Sequence, residues 1–184
     1  ADAVEAIERI CLRSGETDMI ALMRRIRAHP SIAIHGPEHH ALVPGVILAC
    51  CRNAGASIDD ERIRQAIRRG GRHPGGSCGY TGACGAAVGL GAAFSVAMGA
   101  TPTEGALRGE VILAVSQALA RIGAMGAPRC CQRDCHIALQ LAAELAPRLL
   151  GVAPRASAGM VCGQVPLNRE CAGTACPLHP DRTR

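Results

Sequence analysis

Eight of the eleven cysteines of this chain follow Ser77, and no two of the eleven are spaced C-x-x-C. The missing spacing removes thioredoxin-like redox motifs and the usual zinc ribbons and fingers. The cysteines instead gather as Cys78 with Cys84, as Cys130–Cys131 with Cys135, and as Cys162, Cys171 and Cys176 near the C-terminus. Clustered thiolates are soft ligands that select zinc, copper(I) or iron–sulfur clusters. Cys84 stands where a glycine-rich loop turns into a helix, and Cys130 and Cys131 lie in the first turn after Pro128. A helix N-terminus leaves N–H groups unpaired and carries positive potential, which stabilises a thiolate or an anionic metal–sulfur cluster. Cys131 and Cys135 are four apart and share a helix face. Cys176 precedes Pro177, as the last ligand does in some ferredoxins. The expected metal ligands are Cys84, Cys131, Cys171 and Cys176. Cys78 contends with them, and Cys130 and Cys135 are further cofactor-binding candidates. Cys11, Cys50 and Cys51 sit on apolar helix faces and read as core.

A second constellation, "HGPEHH", places His35, Glu38, His39 and His40 within six residues. Imidazoles beside a carboxylate bind metal or move protons near neutral pH, so Glu38, His39 and His40 are the candidate catalytic groups. A solvated helix start is the bland alternative. His73 is a further candidate, and Arg129 or Arg133 could hold an anionic substrate group. "GGSCG" matches the G-x-S-x-G elbow around Ser77, but that turn needs a strand before it, and an Arg-rich helix precedes this one.

The elements that must position these groups are helices. Val4, Ile7 and Cys11 share one face of the first. Thr17 or Asp18 caps the second, and a helix from about Glu38 to Asn53 contains Pro44, which should kink it or mark its true start. Ser57 with Asp60 suggests a capping box for the Arg-rich helix that follows. From Ser77 to Thr103 there is no formal charge, yet glycine and alanine dominate. The Gly85/Gly89 pair would seam a dimer in lipid, whereas in a packed protein it makes a central helix closely crossed by others; weak hydrophobicity and missing aromatic anchors favour burial over a membrane. Thr101 or Thr103 stands near the next cap, and Pro128 suits the first turn of the last helix. No alternating strand run and no solenoid repeat occurs. The expected fold is mainly α: one domain, with a helical bundle over residues 1–150 around the buried Gly/Ala-rich helix. An irregular Cys/Pro/Gly-rich tail over 151–184 would be tied to it by the metal site.

Bulk composition narrows the chemistry. The chain has 184 residues, one Tyr, one Phe and no Trp, and all its basic side chains are arginine. Without lysine there is no Schiff-base chemistry and no Walker-type phosphate lysine. A formal charge of +5, with Arg62, Arg64, Arg68, Arg69 and Arg72 close together, suits a solvated helix face or an anion-binding rim. Bases would find almost no aromatic side chain to stack on, so nucleic acid is not an expected partner. No signal-peptide pattern opens the sequence, and cysteines in a reducing cytoplasm point to metal or thiol chemistry rather than disulfides.

Four stretches, "HGPEHHALVPGVILA", "CGYTGACGAAVGLGAAFSVAMGATP", "RCCQRDCHIAL" and "NRECAGTACPLHP", together resemble a cysteine-rich family of unknown function. That family is found in anaerobic bacteria and archaea and is sometimes fused to radical-SAM or methyltransferase modules. The resemblance spans roughly residues 34 to 180. It implies an anaerobic, iron–sulfur-associated setting and draws attention to His35, His39, His40, Cys78, Cys84, Cys131, Cys171 and Cys176. It brings no established activity. The C-x-x-x-C-x-x-C of a radical-SAM enzyme is missing, because Ala138 follows Cys131 and Cys135 where the third cysteine would be. The leading expectation is therefore a 4Fe–4S protein, with an open iron site available for sulfur or small-anion chemistry. The alternatives are a zinc- or cluster-stabilised module that docks a radical-SAM or methyltransferase partner, and a thiol carrier of sulfur or soft metal. A homo-oligomer is the other association left open.

Overall fold

A computed structural model describes residues 2–182. Among these residues eight α-helices and two 3-10 turns occur, with no named strand; the single β-bridge joins Asp18 to Arg155. The helices are α1 (Ala3–Arg13), α2 (Met19–Arg27), α3 (Glu38–Asn53), α4 (Asp60–Gly71), α5 (Ser77–Tyr80), α6 (Gly85–Met98), α7 (Gly105–Gly123) and α8 (Cys131–Leu150). None is long and apolar enough to cross a membrane.

The core is built of aliphatic side chains, as the near-absence of aromatics requires. Phe94 is fully buried among Ile, Leu, Met and Val residues. Two helices share the centre. From Ala41 to Cys51 every residue of α3 is buried, because α1, α2, α4, α6 and α8 all pack around it. The Gly/Ala-rich α6 is the second, crossed by α3, α4, α7 and α8. Pro44 does not start or break α3; it lies inside it. Proline has no N–H to donate to the carbonyl four residues back, which is that of His40. α4 and α6 close on this carbonyl at Gly70 and Gly89, where an added Cβ would collide with it or with the Pro44 ring. Glycine is needed at both positions to let three helices meet there.

The caps differ in detail from the sequence expectation. Asp18, not Thr17, caps α2, with its Oδ1 accepting from the N–H groups of Ile20 (2.9 Å) and Ala21 (3.1 Å). α4 is capped by Asp59 through Arg62 N (2.8 Å) rather than by Ser57, since Asp59 is the last extended residue before the turn. α7 begins after Glu104 without a side-chain cap, and α8 begins at Cys131, so Pro128 lies outside its first turn.

Cys11, Cys50 and Cys51 are fully buried, as expected of core. Burial pushes the thiol pKa values of Cys11 and Cys51 up to about 12 and raises that of Cys50 further. The arginines of α4 are engaged: Arg64 with Glu8 at 3.1 Å, Arg68 with Glu61, and Arg69 with Ser95 Oγ at 3.0 Å.

Among the described residues after α8 the regular elements are the 3-10 turns Val165–Leu167 and Gly173–Ala175. Its first part is fastened at Asp18, whose Oδ2 accepts from Ser157 N (3.0 Å), Ser157 Oγ (3.2 Å) and Ala158 N (3.0 Å). Arg24 Nη1 donates to Gly159 O at 3.0 Å. Beyond residue 160 the polar ties to the body thin to Gln132–Cys162 and His35–Asn168, each 3.2 Å, and the exposed pair Arg129–Glu170 at 3.5 Å.

Candidate metal–sulfur centre

Three long helices start at one place. The first residues of α3, α6 and α8, together with the short α5, line a cavity of about 140 Å³. Its wall includes His39 and His40 from α3, Cys78 from α5, and Cys84 and Gly85 from the α6 start. Cys131, Asp134 and Cys135 complete it from the first turns of α8. The starts of α6 and α8 leave backbone N–H groups without helical partners, so positive potential gathers there, whereas at α3 the His39 and His40 N–H groups donate to Gly36 O and Pro37 O. Asp134 on the same wall adds a carboxylate that opposes this potential.

The sulfurs are deep. Cys84 and Cys135 are buried, Cys131 is partly so, and Cys78 is exposed at the rim. Cys84 is the N-cap of α6 and closes no cap hydrogen bond, although the N–H groups of Ala86 and Ala87 lie toward its sulfur. Burial pushes its pKa up to about 11, nearby Asp134 adds to the rise, and those two amides offset only part of it. Cys131 and Cys135 are raised by burial as well. The helix-terminus effect expected from sequence is present, then, but desolvation outweighs it. Without a cation these sulfurs are thiols: Cys84 S–H points at Asp134 Oδ2 (4.0 Å) and Cys135 S–H at His39 O (3.9 Å).

His39 is buried against Arg27, with its Nε2 on Arg27 Nη1 and its Nδ1 donating to Gly36 O at 3.0 Å. Burial and the Arg27 charge push its pKa down to about 3, so the ring is neutral and positions the turn before α3. His40 has a different role. Its Nδ1 donates to His73 O (2.9 Å), which leaves Nε2 as the acceptor nitrogen of the neutral ring, lying over Gly85 at the α6 start. Burial also lowers its pKa. The His40 and His73 rings meet edge-on at 5.1 Å, and His73 Nε2 donates to Ala83 O. Glu38 turns away from the cavity and accepts from Ala33 N at 3.0 Å. Ser77 Oγ donates to Pro74 O with no strand before it, so no nucleophile elbow forms.

Asp134 lines the cavity and Arg27 holds His39 from behind its wall, and sequence reasoning missed both. Asp134 is buried beside Arg133, whose Nε donates to its Oδ1 at 3.0 Å. Burial raises the Asp134 pKa while Arg133 works against the rise. Its signal was available: Asp134 is three residues after Cys131 and so shares its helix face. Arg133 is taken up by Asp134 and Pro128 O (3.0 Å), which leaves Arg129 as the arginine on the cavity wall. Outside the cavity lies a broader groove of about 780 Å³ whose wall also holds Cys78, Cys84, Arg129 and Asp134, together with Tyr80 and Ile122.

The four cysteines expected to share one metal are divided by the fold. Cys84 and Cys131 face the cavity with Cys78 and Cys135; Cys171 and Cys176 line a separate small hollow with Cys130 and Cys162. Adjacent Cys130 and Cys131 open on different hollows at the α8 start. Among the described residues no three His, Cys, Asp or Glu side chains are grouped as around a single ion. A model of a family of unknown function, DUF5714, matches residues 7–179. No curated protein and no solved structure matches the chain.

Proposed function

The chain belongs to DUF5714, a family of unknown function, and we propose that within it this protein binds a 4Fe–4S cluster through Cys78, Cys84, Cys131 and Cys135. One observation carries the reading: four cysteines surround a cavity at which three long helices begin. Sulfurs held apart by about 140 Å³ suit a multi-atom cluster better than one shared ion. A thiolate-ligated cluster is anionic, and free backbone N–H groups are its natural surroundings. Binding must also displace thiol protons, since burial keeps Cys84, Cys131 and Cys135 protonated in the metal-free protein.

When bound, such a cluster supplies electron transfer or, at an open iron, Lewis acidity. The residues around it define what could be handled there. Cys78 sits on a four-residue helix at the rim, so the position it occupies faces the groove. Arg129, once freed from its exposed pair with Glu170, offers a charge for an anionic substrate, and His40 Nε2 is the nitrogen able to accept a proton. The setting this chemistry requires is reducing and poor in oxygen, which fits an anaerobic cytoplasm.

A second reading, an accessory module docking a radical-SAM or methyltransferase partner, draws on the exposed Ile112 and Leu113 of α7. The carrier reading is less well supported, because the adjacent thiols Cys130 and Cys131 open on different hollows.

Anaerobic reconstitution tests the leading reading. Iron and sulfide should be taken up equally, about four of each per chain, with the broad visible absorption of a cluster. Cys84→Ser, Cys131→Ser and Cys135→Ser should each abolish or sharply reduce uptake, and Cys51→Ser should not. Protein that stays colourless and iron-free after reconstitution would overturn it.

A further inference from the structure

The C-terminal segment has a chemical problem of its own. Over residues 159–182 it contributes Leu178 and Cys176 to the buried set and little else that is apolar. A segment of this length cannot offset its ordering entropy with one leucine. Yet it folds back on itself closely enough for Cys162 N to donate to Leu178 O at 2.8 Å.

Its cysteines are what it brings together. Cys162, Cys171 and Cys176 line one small hollow with Cys130, the residue that caps α8. The hollow measures about 10 Å³, room for one atom rather than a cluster. N–H groups reach two of these four sulfurs. Cys162 Sγ takes Gln132 Nε2 at 3.2 Å and Gln164 N at 3.4 Å, and Cys171 Sγ takes Gly173 N at 3.4 Å. The last two are N–H groups two residues after the cysteine, donated by a tight turn. N–H donors aimed at sulfur by a tight turn also support a sulfur that ligates a metal. Four cysteines lining a space with room for one atom match the ligand set of a closed structural zinc site, although their sulfurs do not yet stand as close as around an ion.

We propose that Cys130, Cys162, Cys171 and Cys176 bind one zinc ion, which fastens the C-terminal segment to the start of α8. Metal binding would draw the four sulfurs inward from their present separation until each lies about 2.3 Å from the ion. Cys130 is the only one of the four that belongs to the helical body, so the ion joins segment to body through that single residue. The proposal does not depend on the cavity holding a cluster, because the two sets share no cysteine.

The experiment uses the full chain with Cys84, Cys131 and Cys135 replaced by Ser, so that the cavity cannot compete for metal. Cobalt(II) is the probe, followed by zinc. One cobalt per chain should bind with the intense thiolate charge-transfer and tetrahedral d–d bands of a four-sulfur site. Zinc should bleach them stoichiometrically. Adding Cys162→Ser or Cys171→Ser should weaken binding at least tenfold and change the bands to those of mixed sulfur–oxygen ligation. Trypsin should cut at Arg169 rapidly after chelation and slowly with zinc bound, while α3 and α8 stay intact in both states. Absence of tetrathiolate bands, or cobalt binding unchanged by the two further substitutions, would overturn the proposal. In the otherwise native chain the same tail substitutions should leave iron uptake in place, which separates failure of this site from failure of the cavity.

Discussion

Cys84 shows how a single residue gathers opposing effects. Its place at the α6 N-cap offers the sulfur two amide dipoles, while burial and Asp134 disfavour the charge by more, and the thiol is held up to about 11. The position is therefore reactive only when a cation replaces the proton. Gly85, next in the chain, sets the other half of the local geometry, because the His40 ring lies where its Cβ would be. Gly85→Ala should push His40 off the α6 start and narrow the cavity. We expect a loss of about 1–3 kcal/mol of stability from overpacking, and iron uptake reduced several-fold in protein that still melts cooperatively. Gly109→Ala, where an added methyl meets nothing within 4 Å, should change neither iron uptake nor cooperativity. Circular dichroism and iron analysis of the two variants decide the matter; equal uptake in both would remove His40 from the site. The sulfur and histidine members of the wall were legible as residue types, because cysteine and histidine have few bland uses in such clusters. Their division into two sets was not. Cys130 is the extended residue before α8 and Cys131 the first helical one, so the two side chains diverge, and no spacing rule says which direction holds the partner.

At the level of elements, the sequence pattern located helices well wherever an apolar face or a glycine stop bounded them. α3 occupies the expected 38–53, and the uncharged stretch forms the buried α6. Starts were less legible, since several residues near each could cap, and only the tertiary partners decide among them. α2 is the clearest case. Asp18 was one of two candidates, and the structure gives it a second task that no local pattern encodes: it also grips Ser157 and Ala158, 139 and 140 residues away. Asp18→Ala should cost about 2–4 kcal/mol, because it removes a helix cap and leaves buried donors unpaired. Burial alone would raise the pKa of this carboxyl, but the amides of Ala21, Ser157, Ala158 and Ile20 together hold it below its ordinary 3.8. A carboxyl whose pKa is lower in the folded chain stabilises the fold at pH values above 3.8. That contribution fades as pH falls through the lower, folded value. Urea denaturation of wild type and Asp18→Ala at pH 7 and near pH 3 should therefore show the gap shrinking in acid. A gap unchanged or widening at low pH would mean that the carboxylate charge is not what holds the joint.

The whole molecule is unevenly buried, and that unevenness should govern how it opens. α3 is enclosed by five helices, whereas α7 packs mainly on α6 and α8. Of the nineteen residues of α7 only Ala114 and Ala118 are buried, while Ile112 and Leu113 face outward. α7 also begins without a side-chain cap and carries Gly105, Gly109 and Gly123, each less favourable in a helix than alanine by about 0.8–1 kcal/mol. Little apolar area and weak intrinsic propensity together predict that α7 separates from the body at a fraction of the global unfolding free energy. Native-state hydrogen exchange on dilute protein should find the amides of α7 exchanging through a partial opening, well ahead of Leu42 to Cys50 in α3. Protection of α7 that rises with protein concentration would mean that Ile112 and Leu113 are covered by a second copy. Protection equal to that of α3 at every concentration would contradict the burial argument itself. The same opening exposes Leu119 and Ile122, which form one wall of the groove beside Cys78. Access to the cavity is therefore expected to loosen with α7 rather than with the enclosed helices that begin around it.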